Sequence, residues 1–215
     1  GSNCDRDMDI ALKKFGFKNK MVWHDSLELP KSDLVVLPGG FSYGDYLRCG
    51  SIASKSKIMK SVLNFAKGGG KVMGICNGFQ ILIEAGLLPG VLLRNKYLEF
   101  ICKNIFVKVN NKDNSYFKGL KKDTLEFHIA HNEGNYFCSN EQLKVINDNN
   151  QIALQYSDES GNVDEKTNPN GSIKNIAGIF NKEKNVLGMM PHPERMIDPA
   201  LSGEDGSIFF ENLIN

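Results

Sequence analysis

Apolar positions in the first 90 residues alternate between two patterns. Runs 34–37 and 71–75 are almost continuously apolar and lead into glycine-containing turns, which is typical of strands buried on both faces of a parallel sheet. Segments 5–17, 56–70 and 77–90 repeat apolar residues every three or four positions and end in glycine or proline, as amphipathic helices do. This alternation predicts an α/β fold with a doubly wound, mostly parallel sheet.

The pattern changes after about residue 97. From 97 to 156 apolar and polar residues alternate over long segments, with one short helical stretch at 140–148, which predicts an antiparallel extension of the sheet. The polar, turn-rich segment 157–172 is interpreted as an exposed loop. Two short strands joined by the turn "NKEKN" and a final helix in "DGSIFFENLI" complete the pattern, and 1–215 is expected to form a single domain.

The N-terminal residues do not fit a complete doubly wound sheet. Such a sheet normally starts with a central strand, whereas this sequence opens at "GSNCD", already in the loop before the first helix. We therefore expect that the first strand is missing from this chain and that its neighbours lack a partner.

Composition narrows the function classes. The 26 basic and 25 acidic residues give a net charge of +1, so charge points to neither a nucleic-acid nor a membrane partner. No apolar run reaches the roughly 18 to 20 residues that span a bilayer, and no signal-peptide pattern is present. Five widely spaced cysteines without a CxxC pair argue against a disulfide framework or a zinc knuckle. A cytoplasmic protein with reduced thiols is expected.

Cys76 is the strongest candidate for a chemical role. Gly74 and Gly78 flank it in the pattern G-x-C-x-G, the cysteine counterpart of a nucleophile elbow, where a sharp strand-to-helix turn leaves no room for side chains at the flanking positions. The helix that starts after Cys76 directs unpaired N–H groups and a partial positive charge at the sulfur. The alternative is a buried cysteine at a tight turn.

A cysteine nucleophile needs a base, and His192 in "MMPHPE" is the best-placed histidine. Residues two apart in an extended chain point to the same side, so Glu194 would orient His192, with the two prolines keeping this stretch extended. An exposed His-Pro-Glu turn without a catalytic role is the alternative.

A second group, His128, His131 and Glu133 in "FHIAHNEG", offers either a metal cluster or a second dyad with the same H-x-E spacing. We expect no metal there, because supporting ligands are lacking nearby. His131 and Glu133 are instead expected near the active site as secondary groups.

Glycine-rich loops at 38–48 and 68–71 do not fit a phosphate-binding function. Gly39 and Gly44 have the Walker spacing, but Asp45 stands where a lysine is needed, and "GGGK" precedes a strand when a phosphate loop should follow one. The "PGG" turn at the end of a strand can present unobstructed N–H groups, as an oxyanion hole requires. The N–H of Asn77 would be the second donor.

These motifs resemble a known family. The pattern G-x-C-x-G-x-Q (Gly74 to Gln80), the upstream "PGG" and the late H-P-E are similar to those of class I (triad) glutamine amidotransferases. The longer stretches "GGFSYGDYLR" and "AHNEGNYFC" resemble one branch, the small glutaminase subunits of phosphoribosylformylglycinamidine synthases. The resemblance covers nearly the whole chain.

The resemblance implies a mechanism and a division of labour. Cys76 would attack the side-chain amide of glutamine, His192 with Glu194 would move protons, and a glutamyl thioester would form and be hydrolysed. The oxyanion-hole and substrate-binding residues would be Gly39, Gly40, Phe41, Asn77 and Gln80. No cofactor is implied in this chain. Ammonia would pass to a large synthetase subunit that uses ATP and magnesium to convert formylglycinamide ribonucleotide to formylglycinamidine ribonucleotide in purine biosynthesis, assisted by a third, small subunit.

Three alternative functions are weighed against this one. They are a glutaminase of another class I amidotransferase, a cysteine hydrolase of the DJ-1/PfpI type, and a non-catalytic docking subunit. Gln80 and the His192–Glu194 pair argue against the hydrolase. The intact set of Cys76, His192 and Glu194 argues against a docking subunit, which has no need of all three.

Overall fold

A computed structural model describes residues 2–200 and 202–214 of the chain. Its helices are α1 (Asp5–Lys14), α2 (Lys57–Lys67), α3 (Asn77–Glu84), α4 (Asn140–Asp148) and α5 (Asp205–Ile214). Its strands are β1 (Leu34–Leu37), β2 (Lys71–Ile75), β3 (Val91–Leu93), β4 (Ile101–Val109), β5 (Thr124–His131), β6 (Asn135–Phe137), β7 (Ile152–Ser157), β8 (Ile176–Phe180) and β9 (Val186–Met189).

The main sheet combines a parallel and an antiparallel part. Within the described residues it has seven strands in the order β1-β2-β9-β8-β7-β4-β5, and β1, β2 and β9 run parallel. The pairs from β9 to β5 are antiparallel. The predicted α/β class and its antiparallel extension are confirmed, and among the described residues four of the six strand pairs of this sheet are antiparallel. The connections agree with the pairings, since a turn joins the antiparallel β8 and β9 whereas α2 joins the parallel β1 and β2.

The centre of the parallel part is fully packed. Val72, Met73 and Ile75 of β2 have no exposed surface, since β2 lies between β1 and β9. Helix α3 starts two residues after β2 and buries all its residues except Glu84, consistent with a helix covered by both sheet and loops. A buried strand that runs directly into a buried helix fixes the position of the residue between them, Cys76.

The first described residues, Ser2 and Asn3, lie in the loop before α1, as predicted, and β1 forms one edge of the main sheet. The predicted helices and the two short strands before the C-terminal helix are present within a few residues of their expected bounds. Among the described residues, no helix is long and apolar enough to cross a bilayer.

Two features of the fold are not those expected from the sequence. Strand β3 is too short to be visible in the hydrophobic pattern, and it pairs with β6 in a separate small sheet. The segment 157–172 was predicted to be an exposed loop, which is wrong for its end, where Asn170 and Ser172 are buried. Both side chains bond to the carbonyl of Gly134, so their polar character reflects buried hydrogen bonding instead of contact with water.

Candidate active site

Cys76 occupies a strained turn between β2 and α3. Its φ of 50° and ψ of −107° lie in a region that residues with side chains rarely adopt, and its N–H donates to the carbonyl of Met189 at 2.8 Å. A Cβ on Gly74 would lie 2.6 Å from the carbonyl oxygen of Gly78, and a Cβ on Gly78 would overlap the carbonyl of Leu37. The predicted reason for both glycines, lack of space at a sharp turn, is confirmed.

This crowding gives a test of the elbow. Replacing Gly78 with alanine forces either β1 or α3 to move, so the free energy of unfolding should fall by at least about 3 kcal/mol, the upper end of the usual cost of overpacking. Urea denaturation measures the change. Gly68→Ala is the control, because a Cβ there would lie 3.4 Å from its nearest neighbour. An equal loss in the two variants would show that the elbow does not restrict residue 78.

The sulfur of Cys76 lies in a nearly closed environment. The side chain is 6% exposed, and the thiol donates to the carbonyl of Ala130 in β5 at 3.7 Å. Cys76 is also the residue that precedes the first turn of α3, whose N–H groups lack partners within the helix. Cys76 therefore lies at the N-terminal end of α3, where the helix dipole is positive.

His192 and Glu194 form a buried pair. Nδ1 of His192 lies 2.6 Å from Oε1 of Glu194, and both side chains are at most 3% exposed. The N–H of His192 donates to the carbonyl of His128 at 2.8 Å, so β5 fixes the backbone of the histidine. The prediction that an extended backbone brings the pair together is wrong. Pro193–Arg195 form a turn of 3-10 helix, which proline favours at its first position.

The charge state of His192 follows from its neighbours. Burial lowers the pKa of His192, but the charges of Glu194 and Cys76 and the hydrogen bond to Glu194 raise it more, so the pKa lies above its usual value. Nδ1 is engaged by Glu194, and the buried Nε2 makes no hydrogen bond of ordinary geometry to any described residue. Nε2 is thus the nitrogen left to exchange a proton with Cys76 or a bound molecule.

The "PGG" turn packs against both Cys76 and His192. A Cβ on Gly39 would lie 2.6 Å from Cε1 of His192 and 3.4 Å from Cβ of Cys76. Gly40 has a φ of 136°, and a side chain there would overlap the backbone of Asn3. The N–H of Phe41 donates to Oδ1 of Asn3 at 3.1 Å. The N–H of Phe41 is therefore already engaged, whereas the N–H of Gly40 has no such partner among the described residues.

Asn77 and Gln80 link three segments around the elbow. Asn77 is fully buried, accepts hydrogen bonds from the N–H (3.1 Å) and the hydroxyl of Ser42, and donates to Oε1 of Gln80 at 2.8 Å. Gln80 in turn donates to the carbonyl of Glu133 at 2.8 Å. The "SYGDYLR" loop, α3 and the segment after β5 are thereby held in one network beside Cys76.

His131 does not pair with Glu133. Nδ1 of His131 lies 3.1 Å from Oδ1 of Asn95, while the carboxylate of Glu133 lies 3.9 Å from Nε of Arg94. Burial, and secondly the charge of His192, lower the pKa of His131 to about 4, so this ring is neutral. The pKa values of the two histidines are therefore shifted in opposite directions, which distinguishes the environment of His192 from that of His131. In residues 2–200 and 202–214 no three metal-ligand side chains come together.

Asn95 was not identified from the sequence. It is 1% exposed and donates from Nδ2 to the carbonyls of Glu99 (2.8 Å) and His131 (2.9 Å). Its Oδ1 accepts from the N–H of Gly134 at 3.1 Å and from Nδ1 of His131. No periodicity marks a single polar residue in a loop, and its partners lie 36 or more positions away in the sequence, apart from Glu99.

Comparisons with known proteins agree with this geometry. A family model described as a CobB/CobQ-like glutamine amidotransferase domain matches residues 1–203. The chain is 87% identical over its whole length, and over 95% of the relative, to phosphoribosylformylglycinamidine synthase subunit PurQ of Pelagibacter ubique (strain HTCC1062). The chain belongs to the PurQ family of glutamine amidotransferases. A second PurQ, from Sulfurimonas denitrificans, is 50% identical, with 96% of this chain and 92% of the relative covered.

A solved structure supports the same assignment. The structure of PurLQS from Thermotoga maritima contains a chain that is 41% identical, with a TM-score of 0.87 and coverage of 100% of this chain and 93% of the other. The resemblance inferred from the motifs is confirmed. Membership of the PurQ family favours a glutamine amidotransferase over the DJ-1/PfpI-type hydrolase and over the docking subunit.

Proposed function

We propose that this chain hydrolyses glutamine to glutamate and ammonia through a thioester on Cys76. The observation that carries the proposal is the meeting of three elements at one point: Cys76 on its strained turn, the buried His192–Glu194 pair, and the "PGG" turn that touches both. Acyl transfer from an amide requires a nucleophile, a base held by a carboxylate, and a loop that presents N–H groups.

In the first step, the thiol of Cys76 gives its proton to Nε2 of His192, and the sulfur attacks the side-chain carbonyl carbon of glutamine. The oxyanion that forms accepts hydrogen bonds from the N–H of Asn77 and the N–H of Gly40, since that of Phe41 is engaged by Asn3. Nε2 of His192 protonates the departing nitrogen, and ammonia leaves as the thioester forms. Nε2 then takes a proton from water, which attacks the thioester and releases glutamate. Glu194 stabilises the imidazolium whenever it forms.

Gln80 and its neighbours form the side of the site that recognises glutamine. Gln80, Asn77 and the carbonyl of Glu133 are joined by hydrogen bonds beside the elbow. We assign Gln80 to the wall of the glutamine pocket. His131 and Glu133 stay outside the proton transfer, where the neutral His131 supports the wall through Asn95.

The ammonia is used by a separate subunit. The relatives are subunits of phosphoribosylformylglycinamidine synthase, and the similar solved chain comes from a structure named PurLQS. We infer that the chain delivers ammonia to a large synthetase subunit, together with a small third subunit, and that ATP and magnesium act in the large subunit. All five cysteines lie in the described residues and are free thiols, which supports a reducing, cytoplasmic setting.

The test is glutamine-dependent release of ammonia by the chain alone and with its synthetase subunit. We expect a slow release alone and a faster one in the complex, with a glutamyl adduct on Cys76 trapped by acid quench and identified by mass spectrometry. Glutamate formation without an adduct on any cysteine would reject the thioester route. Ammonia transfer to an acceptor other than formylglycinamide ribonucleotide would favour another class I amidotransferase.

Asn95 provides a prediction about the pocket wall. Replacing Asn95 with alanine leaves four groups without their hydrogen-bond partner: Nδ1 of His131, the N–H of Gly134 and two carbonyls. Leaving such a group unpaired costs about 1 kcal/mol or more when it is buried. We expect unfolding to become easier by about 4 kcal/mol or more and the KM for glutamine to rise by about tenfold. Asn149→Ala is the control, because Asn149 is half-buried at the C-terminal end of α4 and its side chain bonds only to the carbonyl of Val145 in that helix. An unchanged KM would show that Asn95 supports the fold alone.

A further inference from the structure

A second thiol, Cys102, has a histidine and an amide beside it. Cys102 is exposed on β4, and its sulfur lies 3.5 Å from Nε2 of His128 on the adjacent strand β5. The opposite ring nitrogen, Nδ1, lies 3.1 Å from Oδ1 of Asn104. The register of the two strands explains the approach, because Cys102 faces Ala130 and Asn104 faces His128 on the same side of the sheet. These three residues form a cluster outside the active site.

The hydrogen bonds of Asn104 assign the proton of His128. Nδ2 of Asn104 donates to Oε1 of Glu126 at 3.2 Å, so the oxygen of the same amide is the atom that meets the ring. An amide oxygen can only accept, and Nδ1 of His128 must therefore carry its hydrogen. Nε2 is left with a lone pair, directed at the thiol of Cys102. This is the order thiol, imidazole, amide that activates a cysteine nucleophile.

The surroundings of the cluster keep the imidazole of His128 neutral. Burial lowers the pKa of His128, and the positive charges of Arg195 and His192 lower it further, so the imidazole is neutral and able to accept a proton. Cys102 also lines an open pocket of about 330 Å³, together with Phe100, Lys103 and others, which gives a reagent room beside the sulfur.

The other cysteines outside the elbow are less suited to react. Burial raises the pKa of Cys4 and of Cys138. Burial, followed by hydrogen bonds and charge from Glu133 and Asp45, raises the pKa of Cys49 far above its usual value. Cys76 is almost completely enclosed. All five cysteines lie in the described part of the chain, and Cys102 is the only one of them that is exposed. Its sulfur also has an unprotonated ring nitrogen, Nε2 of His128, within hydrogen-bond distance.

We propose that Cys102, His128 and Asn104 form a thiol–imidazole–amide triad that makes Cys102 a site of mixed-disulfide modification by small disulfides such as glutathione disulfide. The sulfur of Cys102 attacks one sulfur of the reagent, and a new disulfide bond forms while the bond in the reagent breaks. The proton of Cys102 passes to Nε2 of His128 and then to the departing thiolate. Cys102 is oxidised, and one molecule of small thiol is released in reduced form.

The experiment measures the rate of this exchange in the full-length chain carrying Cys76→Ala, which removes the catalytic thiol. Glutathione disulfide is the probe, intact mass gives the rate, and peptide mapping gives the site. We expect the first adduct on Cys102. His128→Gln, which keeps hydrogen bonding without a proton acceptor, should slow the reaction by at least about tenfold. Asn104→Ala should slow it several-fold, and Lys108→Ala, on the same strand, should not change it.

The outcomes separate a triad from simple exposure. Equal rates in the parent, His128→Gln and Asn104→Ala would show that Cys102 reacts only because it is exposed. A first adduct on another cysteine would overturn the site itself. Asn104 is exposed, so its variant tests the triad even if the His128 variant fails to fold. No step measures glutamine hydrolysis, and failure of this proposal is therefore distinct from failure of the proposed function.

Discussion

Replacing Cys76 with alanine should reduce glutamine-dependent ammonia release by a factor on the order of 10⁴ or more, the usual consequence of losing a covalent nucleophile. The physical reason is that the remaining groups at the site, the pair of His192 with Glu194 and the N–H donors, can polarise glutamine but cannot form the thioester. Binding of glutamine should persist, because Gln80 and Asn77 are unchanged. Ammonia release is measured in the reconstituted complex, and glutamine binding is measured by calorimetry.

The matched control is Cys102→Ser, which removes another thiol on a strand adjacent to β5. We expect its ammonia release to stay within about twofold of the parent, since Cys102 lies outside the reacting groups. If Cys76→Ala released ammonia as fast as the parent, the nucleophile would have to be another residue. A variant that fails to bind glutamine would indicate a damaged pocket. Its loss of activity would then result from lost binding and not from the missing nucleophile.

A glutamine analogue that alkylates thiols gives an independent measurement of the same assignment. It should label Cys76 ahead of the four other cysteines, because the analogue is held beside the elbow and Cys76 has the imidazole of His192 within reach. Peptide mapping after partial reaction gives the order. Addition of glutamine should slow the labelling of Cys76 and of no other cysteine. Equal labelling of all five thiols would contradict the assignment of Cys76 as the nucleophile.

The elbow and the contact between His192 and Glu194 could be predicted because their signals are local. Gly74 and Gly78 lie within two residues of Cys76, and Glu194 lies two residues from His192. Each group of residues is therefore contained in one short sequence motif. The motif predicts correctly that His192 and Glu194 come together, but it does not predict the backbone conformation that brings them together. The expected extended backbone at Glu194 is a turn of 3-10 helix, since proline suits the first position of such a turn as well as an extended strand.

The supporting residues could not be predicted, because their partners are distant in sequence. Asn170 and Ser172 reach the carbonyl of Gly134 from 36 and 38 positions away, and Asn95 reaches His131 from 36 positions away. In a sequence they are ordinary polar residues in loops. Only the folded chain shows that they satisfy buried backbone groups, which is why the segment that contains Asn170 was predicted to be exposed.

Replacing Glu194 with glutamine should lower kcat by about 10² to 10⁴-fold while keeping the shape of the site. Glutamine has the same volume, but its neutral amide does not stabilise an imidazolium. Burial, which lowers the pKa of His192, would then be opposed only by Cys76, so the pKa of His192 should fall towards or below its usual value. Proton transfer from Cys76 becomes less favourable, and alkylation of Cys76 near pH 7 should slow in parallel with kcat.

The pH dependence of the free energy of unfolding provides a second measurement, and its direction can be predicted. A histidine whose pKa is raised by folding stabilises the native state fully below the pKa of free imidazole, about 6.5, and loses this contribution as the pH rises through the raised value. The advantage of the parent over Glu194→Gln in free energy of unfolding should therefore be largest at or below pH 6.5 and should shrink above it. Glu183→Gln, at an exposed glutamate, should show no such dependence. A difference that grows with pH would mean that Glu194 does not hold His192 in its charged form.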